Sequence, residues 1–513
     1  MSRRTLVRKL EEEYSNCSQN LKNNLSRVTT VATTADIWSC RKRSYLGMTV
    51  HYIDPTSLER KMGVLACRRL KGRHTYDVVA KEIEMIHVEY GIENKVCSTT
   101  TDNASNFVKA FDVFQDNAHN DADDSEEDED GDPDNEETEE DENTFADVHQ
   151  VLSLPGHGDP TVQEGSLPPH RRCAAHTVNL VAVNDSNKNL SNSLRKMKNV
   201  AIGKAYGIWN KQSRSTVAAD IIKEKLGTVL EVPTQVRWNS MYKSVSCLHK
   251  LLISKRVDVN NVCSALHLPL FSQSEINFLG EYSTVMAPIA NCLNVLQGEE
   301  NAYLGILAPS ITLCIKKLQK MKESGPEPLK FCGSLIDALI AGLKKRFAST
   351  LDDENVLLAS ALHPQIKLGW LTDQEKVKEI EGLLVCKWEE FESLQAESGT
   401  GTSDSSEDSA QSGDDGISDF FKELRSSKNT SRSNTTAARS VHDYLNADLA
   451  PLSSVIHSSQ FKALFIKYNT PIPSSASVER LFSMAKDVLR PKRSKLTDKN
   501  FEMMLFLNAS SKF

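Results

Sequence analysis

The 513-residue chain lacks paired cysteines, long apolar runs and a secretory leader, and each absence removes a class of protein. Its eleven cysteines stand singly between Cys17 and Cys386 with no Cys-x-x-Cys among them. Neither a disulfide framework nor an array of cysteine zinc sites is encoded, and the usage fits a reducing compartment with thiols as small core side chains. No apolar stretch approaches the ~20 residues of a membrane span, so no membrane partner is expected. The opening Met-Ser-Arg-Arg-Thr-Leu is not a signal peptide. No internal repeat is visible, and nothing points to a small-molecule substrate.

Basic residues are missing from one stretch. Between Asp121 and Glu142 lie sixteen carboxylates and no Lys or Arg, and removing them turns the formal net charge from −8 to +8. The body of the protein is therefore basic. A block of like charges stays expanded and cannot bury enough apolar surface to offset the entropy of ordering. It reads as a disordered acidic insertion over 116–165, with a histone-binding or nucleic-acid-mimicking role as the alternative. A second break, 396–440, is nearly free of large apolar residues and reads as a disordered linker. At ~150 residues per domain the chain should form two to four units.

What remains between these breaks is patterned. Thr and Val dominate Val28 to Trp38, Leu46, Met48, Val50 and Tyr52 alternate with Gly47, Thr49 and His51, and Met62 to Cys67 is a third short run. Period-two alternation in succession predicts an antiparallel three-stranded meander. Val79, Ile83, Ile86 and Tyr90 then form a helical stripe, and Gly91 stands where a C-terminal glycine belongs. Lys95 to Thr101 is a fourth strand, and Asn103 is placed to cap a helix with Ala104, Phe107, Val108 and Phe111 on its face. A right-handed crossover returns the fourth strand parallel to the first, which brings Asp36 and Asp102 to one sheet edge. Two carboxylates there suit a hard cation such as Mg2+; a solvent-facing strand end and a turn aspartate are the alternative.

The tail carries the most specific pattern. Ile472-Pro473-Ser474-Ser475-Ala476-Ser477-Val478-Glu479-Arg480-Leu481-Phe482-Ser483, followed by Leu505-Phe506-Leu507-Asn508, closely resembles the C-terminal dimerisation segment of hAT-superfamily transposases. Asp36 in Thr-x-Asp-x-Trp, Thr-Asp102-Asn-Ala-x-Asn, Cys173-Ala-Ala-His176-Thr-Val-Asn-Leu180 and Arg237-Trp238-Asn239-Ser240 follow the family's order. The resemblance spans about residues 25 to 513 without the acidic block and the linker.

This resemblance implies an α/β (α+β) fold: a ribonuclease-H-like mixed sheet interrupted by a large all-helical insertion, with a C-terminal helical dimerisation segment. The expected layout is a charged segment at 1–25, the first part of the catalytic domain at 26–115, its continuation at 166–240, a helical insertion at 241–395 and the dimerisation region at 441–513. Asp36, Asp102 and Glu479 match a catalytic triad that holds two Mg2+ ions for phosphoryl transfer on DNA. Arg237 and Trp238 match a site that holds a flipped base; a core Trp with a capping Arg is the alternative. Cys173 and His176 have the spacing of half a zinc site, but no second pair lies nearby, so no structural zinc is expected and a supporting role beside the active site is implied. Val478, Leu481, Phe482, Leu505 and Leu507 are the implied dimerisation residues, giving a homodimer or higher oligomer.

Apolar stripes at Ile276, Leu279, Met286, Ile289 and Leu293, and at Leu335, Leu339, Leu343 and Phe347, read as bundle core. Arg490-Pro-Lys-Arg-Ser-Lys495 fits nuclear import or DNA backbone contact. The family usually begins with a BED-type zinc finger, and nothing in residues 1 to 30 fits one; loss of the finger and truncation of the sequence both stay open. So do three functions: a retained, DNA-associated nuclear factor with unused chemistry, an active cut-and-paste transposase, and a ribonuclease acting on hybrids, which the hAT motifs disfavour.

Overall fold

A computed structural model describes residues 2–40, 42–114, 167–234, 238–298, 302–324, 329–397, 436–490 and 496–511. The acidic insertion and the body of the linker fall outside the described residues. The chain divides into two compact units, Met1–Cys173 with Asn469–Phe513, and Ala174–Tyr468.

The first unit is a five-stranded mixed sheet with helices on both faces. Strands β1 (Val31–Cys40), β2 (Arg43–Ile53), β3 (Arg60–Leu70), β4 (Val96–Thr101) and β5 (His170–Arg172) lie in the order β3-β2-β1-β4-β5. β1, β2 and β3 form the antiparallel meander, and β4 returns parallel to β1 through the helix Tyr76–Tyr90. That helix stops where Gly91 takes φ +63°, a left-handed cap that a side chain with a Cβ disfavours.

Alternation along the strands sorts two cores. Val31, Ala35 and Ile37 of β1 join Val79, Ile83, Ile86, Phe107 and Phe111 on one face. Trp38 and Tyr45 join Val478, Leu481, Phe482, Phe501 and Leu505 on the other. The C-terminal helices Ala476–Val488 and Asp498–Ser510 therefore complete this sheet rather than standing apart from it. The helix Arg3–Ser26 adds Tyr14 and Cys17 to the second core and Leu25 to the first.

The sequence reading stops β1 near Asp36, whereas the strand runs on to Cys40. Asp36 is thus an interior strand residue whose side-chain direction is fixed by the ladder.

The second unit is helical throughout its described residues, from Ala174–Val183 and Asn192–Arg214 to Ser459–Asn469. Its longest helices include Gln273–Leu296, opened by a capping box between Ser272 and Glu275. Ile276, Leu279, Met286, Ile289 and Leu293 are buried, as are Leu335, Leu339, Leu343 and Phe347. Both apolar stripes are core. Among the described residues no helix is long and apolar enough to cross a membrane.

Candidate functional site

Strand register decides which side chains meet. Ala35 of β1 pairs with Thr101 of β4, so Asp36 and Asp102 are the next residues along two neighbouring parallel strands. Thr34 reaches Ser477 on the C-terminal segment and Trp38 stacks on Phe482 at 5.8 Å between centroids. Asp36, between them in the same alternation, shares that face.

Glu479 arrives on the same face in the first turn of the helix Ala476–Val488. A carboxylate is favoured there by the unpaired N–H groups and the helix dipole. The segment leading to it is fastened at each step. Arg60 donates to the carbonyls of Asn469 and Thr470, and Thr100 Oγ1 donates to Ile472 O at 3.0 Å. Ser475 N donates to the Cys173 thiol at 3.3 Å, and Ala476 N to Ser474 Oγ at 3.1 Å.

Four buried polar groups then lock the helix start to the sheet. Ser477 Oγ lies 3.1 Å from Thr49 Oγ1, 3.1 Å from His51 Nε2 and 3.3 Å from Thr34 Oγ1. Thr34 and Thr49 are themselves 2.6 Å apart, and Thr49 and His51 2.9 Å apart. Burial, then the charges of Arg60 and Arg480, hold His51 well below its ordinary range, so the imidazole is neutral and offers one donor and one acceptor to these hydroxyls.

The carboxylates feel one another. Burial first, then the charges of Asp102 and Glu479, push the Asp36 carboxyl well above its ordinary range, against the stabilising Ile37 N–H that reaches Oδ1 at 2.7 Å. Asp102 is oriented by Ala104 N, which donates to its Oδ1 at 3.1 Å, so the aspartate engages the turn into the helix Ser105–Phe114. Like charges set this way favour a shared proton or cation. Among the described residues no three His, Cys, Asp or Glu side chains gather closely enough to form a ready cage. The donor set still suits Mg2+, which keeps several waters and takes few protein carboxylates.

Other sequence candidates have different placements. Cys173 is buried, and its thiol supports the lead-in to Glu479. His176 is half-buried in the second unit, on the helix Ala174–Val183. Trp238 opens the helix Trp238–Ser254 and is 8% exposed, with its backbone N–H on Asn179 Oδ1 and its side chain hydrogen-bonded to Tyr282. That packing matches the alternative reading of Trp238 as a core tryptophan. Arg237 lies outside the described residues, as do residues 491–495 of the basic cluster.

Val478, Leu481, Phe482 and Leu505 are buried within the first unit, and Leu507 is half-buried. Their apolar faces close the sheet of their own chain. Sequence reasoning missed Thr34, Gly47, His51, Arg60 and Ser477. The signal was the alternating Gly47, Thr49 and His51, small or polar residues in step with Asp36 on the adjoining strand.

Residues 34–127 match the family model of a ZBED1 RNase-like domain, a span that holds Asp36 and Asp102 but not Glu479. Two maize (Zea mays) proteins, "Putative AC transposase" and "Putative AC9 transposase", are each 27% identical to the chain over 215 residues, 41% of its length. The matched stretch covers 21% and 20% of them, so the chain spans about a fifth of the length of these curated relatives.

Proposed function

We propose that this chain, similar over part of its length to an RNase-like domain and to maize AC transposases, is a nuclear, DNA-associated, hAT-transposase-like protein whose Asp36, Asp102 and Glu479 form a Mg2+-dependent site for DNA strand cleavage and joining. The observation that carries this reading is placement: strand register sets Asp36 and Asp102 side by side on β1 and after β4, and the helix that carries Glu479 in its first turn packs on the same face of the sheet.

The chain's own residues supply orientation. Ile37 N–H holds one oxygen of Asp36, and Ala104 N–H holds one oxygen of Asp102. The buried hydroxyls around His51 fix where the Glu479 helix begins. Bound Mg2+ would activate the attacking oxygen of water or a 3′-hydroxyl and stabilise the leaving oxygen in an in-line displacement. Self-association belongs to the proposal as well. Val478, Leu481, Phe482 and Leu505 pack within the first unit, and Leu507, half-buried, keeps some exposed surface.

The test is nicking of supercoiled plasmid by the full chain and by Asp102→Ala, with Mg2+ or with EDTA. Cleavage by the unsubstituted protein in Mg2+ alone, and none by the variant, is expected. Equal cleavage by both refutes the assignment. No cleavage by either, with DNA binding intact, supports the second reading, a DNA-associated factor with silent chemistry.

A further inference from the structure

The helix Asn192–Arg214 contains Arg195, Lys196, Lys198, Lys204, Lys211 and Arg214 and no Asp or Glu in 23 residues. Surface helices ordinarily interleave both signs, because like charges one turn apart repel. Two of the six cations are used within their unit: Lys204 pairs with Glu275 at 2.7 Å, and Lys198 donates to Asn187 Oδ1. Arg195, Lys196, Lys211 and Arg214 are exposed and make no ion pair among the described residues.

The rest of the exposed face is unusual in the same direction. Lys196, Asn199, Gly203, Tyr206, Asn210 and Arg214 follow one another at three- and four-residue steps, so they line one side of the helix. Leu194, Ala201, Ala205, Ile208 and Trp209 occupy the buried side. Glycine in mid-helix is destabilising and needs a reason. None is found within this unit, since a Cβ on Gly203 would meet nothing within 4 Å. Tyr206 is 44% exposed, and its ring is steadied edge-on by Trp209 at 5.4 Å.

We infer that this face docks the phosphate backbone of duplex DNA. Lys196 and Arg214 on this face, with exposed Arg195 and Lys211 flanking it on either side, match phosphates, Asn199, Asn210 and the Tyr206 hydroxyl add neutral donors, and Gly203 marks where the sugar-phosphate chain comes closest. At 1.5 Å per residue the helix is about 34 Å long, comparable to one turn of duplex. The inference rests on the reading of the chain as DNA-associated and assigns the surface that performs the association.

Fluorescence anisotropy of a labelled random-sequence 30-base-pair duplex, titrated with the full chain across a NaCl series, tests it. A variant with Arg195→Gln, Lys196→Gln, Lys211→Gln and Arg214→Gln should keep its circular dichroism, bind more weakly and lose about three to four units of salt slope, at ~0.9 per lost phosphate contact. Gly203→Ala should melt at a higher temperature yet bind DNA several-fold more weakly, two effects that a purely structural role cannot combine. A quadruple variant with unchanged affinity and slope overturns the surface alone. A wild-type chain that binds no duplex overturns both the surface and the DNA-associated reading.

Discussion

Gly47 stands directly across the β1–β2 ladder from Asp36, and a Cβ on Gly47 would come to 2.5 Å from the ring of Phe482 and 2.8 Å from Val478, on the helix that carries Glu479. The absent side chain is what lets that helix settle onto the sheet beside the aspartate. The spacing of Asp36 from the Glu479 helix and the packing of the core are therefore one constraint here.

Gly47→Ala forces an extra methyl into that contact, and overpacking of this kind typically costs about 1–3 kcal/mol. Urea denaturation should show a loss of that size. Unchanged stability would mean that the Phe482 ring swings aside freely and that the close approach is incidental.

Asp36→Asn replaces a half-buried carboxyl held near two others by a neutral amide. In the absence of divalent ions the variant should melt at a higher temperature than the parent at neutral pH. Added Mg2+ should raise the melting temperature of the parent and leave the variant unmoved. A variant that melts lower, or that still responds to Mg2+, contradicts the electrostatic account of the site.

Glu502 gives a pH dependence of known sign. It lies beside Arg68, whose guanidinium is shared with Glu82 and Glu89, and burial pushes its carboxyl up to about 7 although Arg68 and the Cys67 N–H favour the anion. Its folded pKa exceeds the ordinary 4.5, so folding takes up a proton between the two values, and the associated stability, full below 4.5, is lost as pH rises through about 7. Glu502→Gln should match the parent near pH 4 and exceed it at pH 8, by on the order of 3 kcal/mol. Melts at the two pH values decide; a variant weaker at pH 8 reverses the sign and the argument with it.

Trp238 serves as a test of packing against recognition. Buried beside Tyr242 and bonded to Tyr282, it should lose about 3–5 kcal/mol of unfolding free energy as Trp238→Ala. A variant of near-native stability that fails in DNA binding would restore the stacking role.

Much of the sheet was legible because its signals are local. Alternation gave β2, the Val79-to-Tyr90 stripe with Gly91 gave the crossover helix, and handedness then placed β4 beside β1. The extension of β1 to Cys40 was not legible, because its tight return to Arg43 carries no Asn-Gly or Asp-Gly signal; Lys42 supplies the positive φ of +61° instead. No helix was read at Asn192–Arg214, whose outward face mixes cations, glycine and asparagine with little apolar contrast. Glu479 came to attention through resemblance alone, since no local pattern ties it to Asp36. The partners that seat it, His51 and Ser477, are joined by tertiary contact, which leaves no periodicity to read.

The most direct measurement of the central claim is Mn2+ binding, followed by electron paramagnetic resonance of free Mn2+, for the full chain and for Glu479→Ala. The parent should take up Mn2+, and the variant, folded by circular dichroism, should lose most of that uptake because one of three shared carboxylates is gone. Equal uptake by the two proteins, or none by the parent, would contradict a metal site built from Asp36, Asp102 and Glu479.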